Sequence, residues 1–146
     1  MRSTGNKMKA LEQVTMFSAC TRSELRQVAS VTQPFSVDAD TVIAKEGEPG
    51  KDFFVIISGK SDVLIGGKSV AELGPGDFFG EMALLDQSPR VGSVVAKTPM
   101  DLYRIEAKDF SRLIDEVPFL GKKLLRGLAL RIRQTEHAPQ YVWNRM

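Results

Sequence analysis

The sequence has one cysteine, one histidine and one tryptophan among its 146 residues. The single cysteine, Cys20, cannot form a disulfide within the chain, which fits a reducing compartment such as the cytosol. A single histidine leaves too few ligands for a histidine-based metal site and no partner for a catalytic dyad. P-loops, nucleophile elbows and paired catalytic carboxylates are also missing. These absences argue against an enzyme and indicate no metal or cofactor.

Long apolar runs and a strong excess of one charge are lacking too. No run approaches the length of a membrane span, and no signal peptide precedes the first predicted helix. The net charge is only +2 and the basic residues are dispersed, so neither a membrane nor nucleic acid is expected to bind this chain alone. The length and the 42% hydrophobic content suit one cytoplasmic domain.

The chain divides into a lead-in predicted to be disordered (1–6), one domain (7–136) and a C-terminal tail (137–146). Residues 7–17 are predicted to form one helix, because Leu11, Val14 and Phe17 recur at helical spacing. A second helix is predicted to start at Thr21, where Glu24 completes a capping box. Cys20, beside these apolar residues, is expected to be inert packing, with a reactive thiol as the alternative.

A series of short β-strands follows, each bounded by turn residues. Phe53–Ile57 is continuously apolar, as expected for a strand that is buried on both faces, and Gly66-Gly67 is typical of a hairpin turn. The predicted strands are Pro34–Asp38, Thr41–Lys45, Phe53–Ser58, Ser61–Ile65, Ser69–Leu73, Val91–Ala96 and Asp101–Ile105. About eight short strands separated by glycine turns favour a sandwich or barrel over a parallel sheet.

The hydrophobic period then changes to that of helices. Residues 107–117 place apolar side chains on one face, and Pro118 is predicted to begin a last helix that ends near Glu136. Two C-terminal helices therefore follow the strands.

The segment from Phe78 to Val94, called the cassette below, carries the chemistry. Its glycines allow backbone N–H groups to approach a ligand closely. Arg90 adds a planar cation suited to phosphate, and Glu81 adds an acceptor suited to sugar hydroxyls. These features predict a pocket for a small phosphorylated sugar.

Two parts of the cassette, Phe79–Leu84 and Pro89–Val94, resemble the phosphate-binding cassette of cyclic nucleotide-binding domains. This is the family of the sensor domain of catabolite activator protein and of the regulatory subunits of cAMP-dependent kinase, and the resemblance extends over about residues 10–135. It implies a mainly β fold with flanking helices, namely a double-stranded β-helix (jelly roll) with N-terminal helices and two C-terminal helices.

The resemblance also assigns roles to cassette residues. Arg90 would pair with the exocyclic phosphate oxygens, although it could instead cap a turn or make a surface ion pair. Glu81 would accept from the ribose 2′-hydroxyl, or serve as a carboxylate at a helix N-terminus. Ser93 could bond either the nucleotide or its own strand. The other residues implied to contact the ligand are Gly80, Met82, Ala83, Val91 and Gly92.

Two residues depart from the family pattern. Val91 stands where cGMP-selective members commonly carry threonine, so cAMP is the expected ligand, with cGMP as the alternative. Gly92 replaces the usual alanine, which loosens the backbone but removes no donor. The residue that caps the base stays open among Leu128, Arg131, Ile132 and Gln134, because a Leu–Ile stripe is also typical of core or of a dimer seam.

The resemblance implies a regulatory sensor in which the cyclic nucleotide moves the C-terminal helices and the movement acts on an unknown protein partner. A homodimer through the last helix is one arrangement that it allows. Two alternatives remain open: a ligand-free protein-interaction module on the same fold, and the sensory part of a DNA-binding transcription activator.

Overall fold

The computed structural model describes residues 4–80 and 89–135, in which eight strands form the centre of the molecule. The strands are β1 (Thr32–Val37), β2 (Val42–Ala44), β3 (Asp52–Ser58), β4 (Ser61–Ile65), β5 (Lys68–Leu73), β6 (Phe78–Phe79), β7 (Ser93–Ala96) and β8 (Met100–Glu106). Before them come α1 (Thr4–Glu12), a 3-10 turn (Thr15–Phe17) and α2 (Arg22–Ser30). After them come α3 (Ala107–Glu116) and α4 (Leu120–Thr135).

The strands form two four-stranded antiparallel sheets, in the orders β1-β8-β3-β6 and β2-β7-β4-β5. The predicted fold, mainly β as a jelly roll with flanking helices, is confirmed, and we call the two sheets the roll. The hairpin between β4 and β5 turns at Gly66-Gly67, where both residues have positive φ (59° and 81°), as predicted. The short strand β6 was not predicted, because two residues are too few to show a period.

Strand β3 lies between two hydrophobic cores, which explains its continuous apolar sequence. Phe53 and Val55 belong to the first core, which the roll shares with the helices. Phe54 and Ile56 belong to the second core, inside the roll. Successive side chains of a strand point to opposite faces, so both faces of β3 must be apolar.

The N-terminal helices differ in part from the prediction. The predicted continuous helix over 7–17 is wrong, because the chain leaves helical geometry at Val14 (φ −87°, ψ 119°) before the 3-10 turn. Leu11 and Phe17 are nevertheless fully buried, so the spacing of the apolar residues correctly indicated which side chains are buried but not that they belong to one helix. Helix α1 starts at Thr4, within the predicted lead-in. The capping box at Thr21 is confirmed.

The C-terminal helices follow the predicted order with a shifted start. Helix α4 begins at Leu120 rather than at Pro118. Between them Phe119 adopts a positive φ of 65° and is 75% exposed, so the chain makes a turn there that the sequence did not indicate.

Helix α4 packs on the N-terminal segment through Leu120 and Leu124 in the first core, and an ion pair and a close backbone contact add to this packing. The Nζ of Lys123 donates to both carboxylate oxygens of Glu24, at 2.6 and 2.8 Å. This hydrogen bond lowers the pKa of Glu24, so the pair stabilises the fold above the ordinary glutamate pKa of 4.5 and the contribution is lost as the pH falls. One turn further on, Gly127 lies directly against the backbone carbonyl of Met16.

The contact at Gly127 predicts that Gly127→Ala destabilises the protein by about 1–3 kcal/mol, because the added Cβ would overlap the carbonyl oxygen of Met16. Gly121→Ala is the matched control in the same helix, since its Cβ would meet only Ile114 Cγ2, at 3.4 Å. Alanine favours helices, so this control should be neutral or stabilising. Urea denaturation measures both, and equal stability of the two variants would contradict the packing.

Candidate functional site

The entrance to the cassette is fixed by a turn that precedes β6. The backbone N–H of Gly74 donates to Asp77 Oδ2 (2.9 Å), and that of Asp77 donates to the Gly74 carbonyl (3.0 Å). The ring of Phe79 then stacks on Phe54 in the second core, with centroids 5.0 Å apart. These contacts determine where the chain arrives at Gly80.

Gly80 allows three parts of the chain to meet at one point. Its φ is +84°, a conformation that side chains rarely adopt. A Cβ built there would lie 2.6 Å from the backbone oxygen of Asp52 and 3.1 Å from Arg90 Nη1. A glycine is therefore needed for the guanidinium of Arg90 to lie against the start of β3.

Arg90 is held by its backbone and by its side chain. Its Nη2 donates to the carbonyl oxygen of Asp52 at 3.0 Å. Its backbone N–H donates to the carbonyl of Glu48, and its own carbonyl accepts from the N–H of Gly47, both at 2.8 Å. The loop between β2 and β3 thus fixes the arginine where the chain leaves the cassette.

The residues after Arg90 run close to β4. A Cβ at Gly92 would lie 3.0 Å from the carbonyl oxygen of Leu64, so the absence of a side chain permits this approach. Val91 is 41% exposed. The Oγ of Ser93 accepts from the backbone N–H of Glu46 at 2.9 Å, which supports its structural role; the alternative contact with a nucleotide stays a prediction.

Asp52 is a residue that the sequence analysis missed. Burial raises the pKa of its carboxyl, and the positive charges of Arg104 and Arg90 act in the opposite direction, while Glu106 adds to the rise. The backbone carbonyl of Asp52 accepts the hydrogen bond from Arg90 Nη2. The sequence could not have shown that this carbonyl accepts a hydrogen bond from Arg90, because every residue has a backbone carbonyl.

The structure brings together Gly80 and Arg90, with Val91, Gly92 and Ser93 following directly in the chain. The predicted contacts Glu81, Met82 and Ala83 lie outside the described residues. So do the side chains of the proposed base caps, Leu128, Arg131, Ile132 and Gln134.

The described residues were also compared with three other possibilities, namely a reactive thiol, a metal site and a membrane-spanning helix. Burial raises the pKa of the Cys20 thiol to about 11, which suits inert packing better than a nucleophile. Within residues 4–80 and 89–135 no three histidine, cysteine or acidic side chains are grouped to hold a metal ion. Among the described helices, none is both long and apolar enough to cross a bilayer.

Comparison with known proteins adds a family match. The family model described as a cyclic nucleotide-binding domain matches residues 34–117. A cAMP-dependent protein kinase regulatory subunit from Pyricularia oryzae is 36% identical over 109 residues, which are 73% of this chain and 28% of that protein. One from Blumeria graminis is 36% identical over 77% of this chain and 29% of its own length. The chain thus spans less than a third of these relatives.

Solved structures agree in fold. A cyclic nucleotide-binding domain from Methylobacillus flagellatus has a TM-score of 0.78 and 26% identity, covering 94% of this chain and 80% of its own. The N-terminal domain of a transcriptional regulator from Streptomyces coelicolor has a TM-score of 0.76 and 25% identity, covering 88% of this chain and 96% of its own.

The geometry at Gly80 predicts that Gly80→Ala destabilises the protein by about 1–3 kcal/mol more than Gly76→Ala does. Both glycines have φ near +90°, so both alanines carry the backbone strain. Only at Gly80 would the Cβ also collide with Asp52, because nothing lies within 4 Å of a Cβ at Gly76. Urea denaturation gives both values, and equal losses would refute the close approach.

Proposed function

This chain belongs to the cyclic nucleotide-binding domain family, and on that premise we propose that it is a regulatory sensor that binds a cyclic nucleotide, most favourably cAMP. It acts by binding rather than by catalysis. The observation that carries the proposal is the placement of the Arg90 guanidinium by Gly80 and Asp52 at the mouth of the cassette.

Arg90 has the chemistry that a cyclic phosphate requires. Such a phosphate carries one negative charge and two free oxygens, which a planar guanidinium can bind together. Each charge-assisted bond contributes about 1.5–3 kcal/mol. In the family pattern Glu81 accepts from the ribose 2′-hydroxyl, and backbone N–H groups of Met82 and Ala83 complete the phosphate contacts.

The preference for cAMP rests on Val91. Its side chain has no hydroxyl with which to bond a guanine amino group, so the usual basis for cGMP selectivity is missing. The relatives named as cAMP-dependent kinase regulatory subunits support the same choice.

A chain of aromatic contacts supports coupling between the cassette and the helices. Phe78, at the cassette entrance, lies 5.7 Å from Phe53 in β3, measured between ring centroids. Phe53 lies 6.1 Å from Phe17 in the 3-10 turn, and Phe17 lies 6.2 Å from Phe110 in α3. We propose that a ligand that moves β6 also moves the helices, provided that it binds one helix arrangement better than another.

We propose that the movement of the helices acts on another protein or on a further part of a larger assembly. We propose a cytoplasmic regulatory role through a protein partner, with dimerisation through α4 as one route. The similarity to the N-terminal domain of a transcriptional regulator favours, as a second candidate, the sensory part of a DNA-binding activator. A ligand-free interaction module is the outcome if isothermal titration with cAMP and cGMP gives no heat at high micromolar ligand.

Arg90→Ala is expected to weaken cAMP binding at least tenfold, because it removes the cation that faces the phosphate. Isothermal titration calorimetry measures the Kd. The melting temperature without ligand should change little, since the variant loses the side-chain hydrogen bond to the Asp52 carbonyl but keeps the backbone bonds of residue 90 to Glu48 and Gly47.

Arg112→Ala provides the control, because this arginine is exposed on α3 and pairs only loosely with Asp109, at 3.5 Å. Its Kd should equal that of the parent. An Arg90→Ala protein that binds cAMP as tightly as the parent would exclude Arg90 as the phosphate contact.

Lys123→Met is expected to tighten cAMP binding about two- to fivefold. If the ligand moves α4 away from α2, part of the binding free energy is spent on breaking the Lys123–Glu24 ion pair. The variant has no such pair to break, so its apparent affinity should be higher. Lys122→Met, at the exposed neighbouring position, is the control and should bind as the parent does. Equal affinities of the two variants would show that this ion pair has no part in coupling.

A further inference from the structure

Arg104 in β8 is a charged residue on the face of the sheet that belongs to the second core. Side chains alternate along a strand, so Arg104 shares its face with Leu102, which is buried in that core. Across the sheet it lies opposite Gln33 of β1 on one side and Phe54 of β3 on the other. A charge in this position needs compensating contacts.

The neighbours of Arg104 supply some of that compensation. Its Nη2 donates to Gln33 Oε1 at 2.8 Å, and its guanidinium carbon lies 5.2 Å from the centroid of the Phe35 ring. Its Nε is buried and has no hydrogen-bond partner among the described residues. These contacts hold the guanidinium in place, but one of its N–H donors makes no hydrogen bond to a described residue. The local contacts therefore do not by themselves account for a positive charge at this position.

The carboxylate of Asp52, which lies close to Arg104 in the sheet, accounts for the charge. In the β3–β8 register Phe54 lies opposite Arg104 and Asp52 lies opposite Glu106, so Asp52 and Arg104 are diagonal neighbours on one face. Of the charges around Asp52, Arg104 is the one that most strongly opposes the rise of its pKa. Asp52 is also the residue whose carbonyl holds Arg90.

We propose that Arg104 is a positioning residue of the phosphate site: its charge offsets the carboxylate of Asp52, so that this carboxylate competes less with an anionic ligand for Arg90. The proposal rests on the proposed binding of a cyclic nucleotide. The ligand phosphate and the Asp52 carboxylate both interact with the positive charge of Arg90. The nearby charge of Arg104 offsets that of the carboxylate and so favours the ligand.

The first test compares variants of the full chain that remove the positive charge of residue 104 with one that keeps it. Arg104→Gln and Arg104→Met should each weaken cAMP binding about 3- to 10-fold by isothermal titration at low ionic strength. Arg104→Lys, which keeps the charge, should stay within about twofold of the parent. Arg112→Gln, with the same charge change on exposed α3, should leave the Kd unchanged. Melting curves confirm that each variant is folded at the assay temperature.

The second test asks whether the effect passes through Asp52. In an Asp52→Asn background the competing charge is absent while the backbone carbonyl remains, so Arg104→Gln should change the Kd by less than about twofold. An equal loss of affinity in the parent and in the Asp52→Asn background would overturn the proposal, since a general field or packing effect would not depend on the carboxylate.

Failure of the inference and failure of the proposed function give different results. If the parent binds cAMP and Arg104→Gln binds equally well, the function stands and the inference is wrong. If the parent binds no cyclic nucleotide, the proposed function is wrong. The inference is then decided by carbon NMR titration of the Asp52 carboxyl: its pKa should rise in Arg104→Gln and not in Arg112→Gln, and an unchanged pKa would refute it.

Discussion

The close approach of Asp52, Gly80 and Arg90 is the constraint on which the site depends. The backbone oxygen of Asp52 accepts from the guanidinium of Arg90 at 3.0 Å, and the space that a side chain at position 80 would fill is occupied by these two groups. Because the three residues come from β3, from the end of β6 and from the segment that leaves the cassette, one contact fixes both ends of the cassette relative to the sheet. The arginine is thereby oriented by backbone, which holds its position better than another flexible side chain would.

Strand β3 links this site to the rest of the molecule. It starts at Asp52, beside the arginine, and its next residues alternate between the core inside the roll and the core under the helices. Protein interiors are close-packed and little compressible, so they transmit strain from one packed residue to the next. Ring contacts through Phe53 and Phe17 run without a break from Phe78, at the cassette entrance, to the helical layer.

The helical layer is held by contacts of two kinds. Buried apolar residues of all four helices and of the 3-10 turn share the first core with the sheet, and this contribution does not depend on the protonation of a side chain. Helix α4 adds the half-buried Lys123–Glu24 pair, whose side chains are 24% and 12% exposed, and the glycine contact with Met16. Glu24 also completes the capping box of α2, so one carboxylate ties the start of α2 to α4.

Local sequence patterns were enough to predict most of the elements and to locate the cassette. Apolar periodicity, glycine turns and the Thr21 capping box are local signals, and they predicted every strand except β6, and the helices after residue 17, to within a few residues. Local patterns could not show that the helix over residues 7–17 breaks at Val14, that the chain turns at Phe119 before α4, or that Arg104 lies diagonally across the sheet from Asp52. Those features arise from contacts between residues far apart in the chain, such as the pairing of β3 with β8. Which backbone carbonyl accepts the hydrogen bond from Arg90 depends on how distant segments pack together, because the carbonyl groups of all residues are chemically alike.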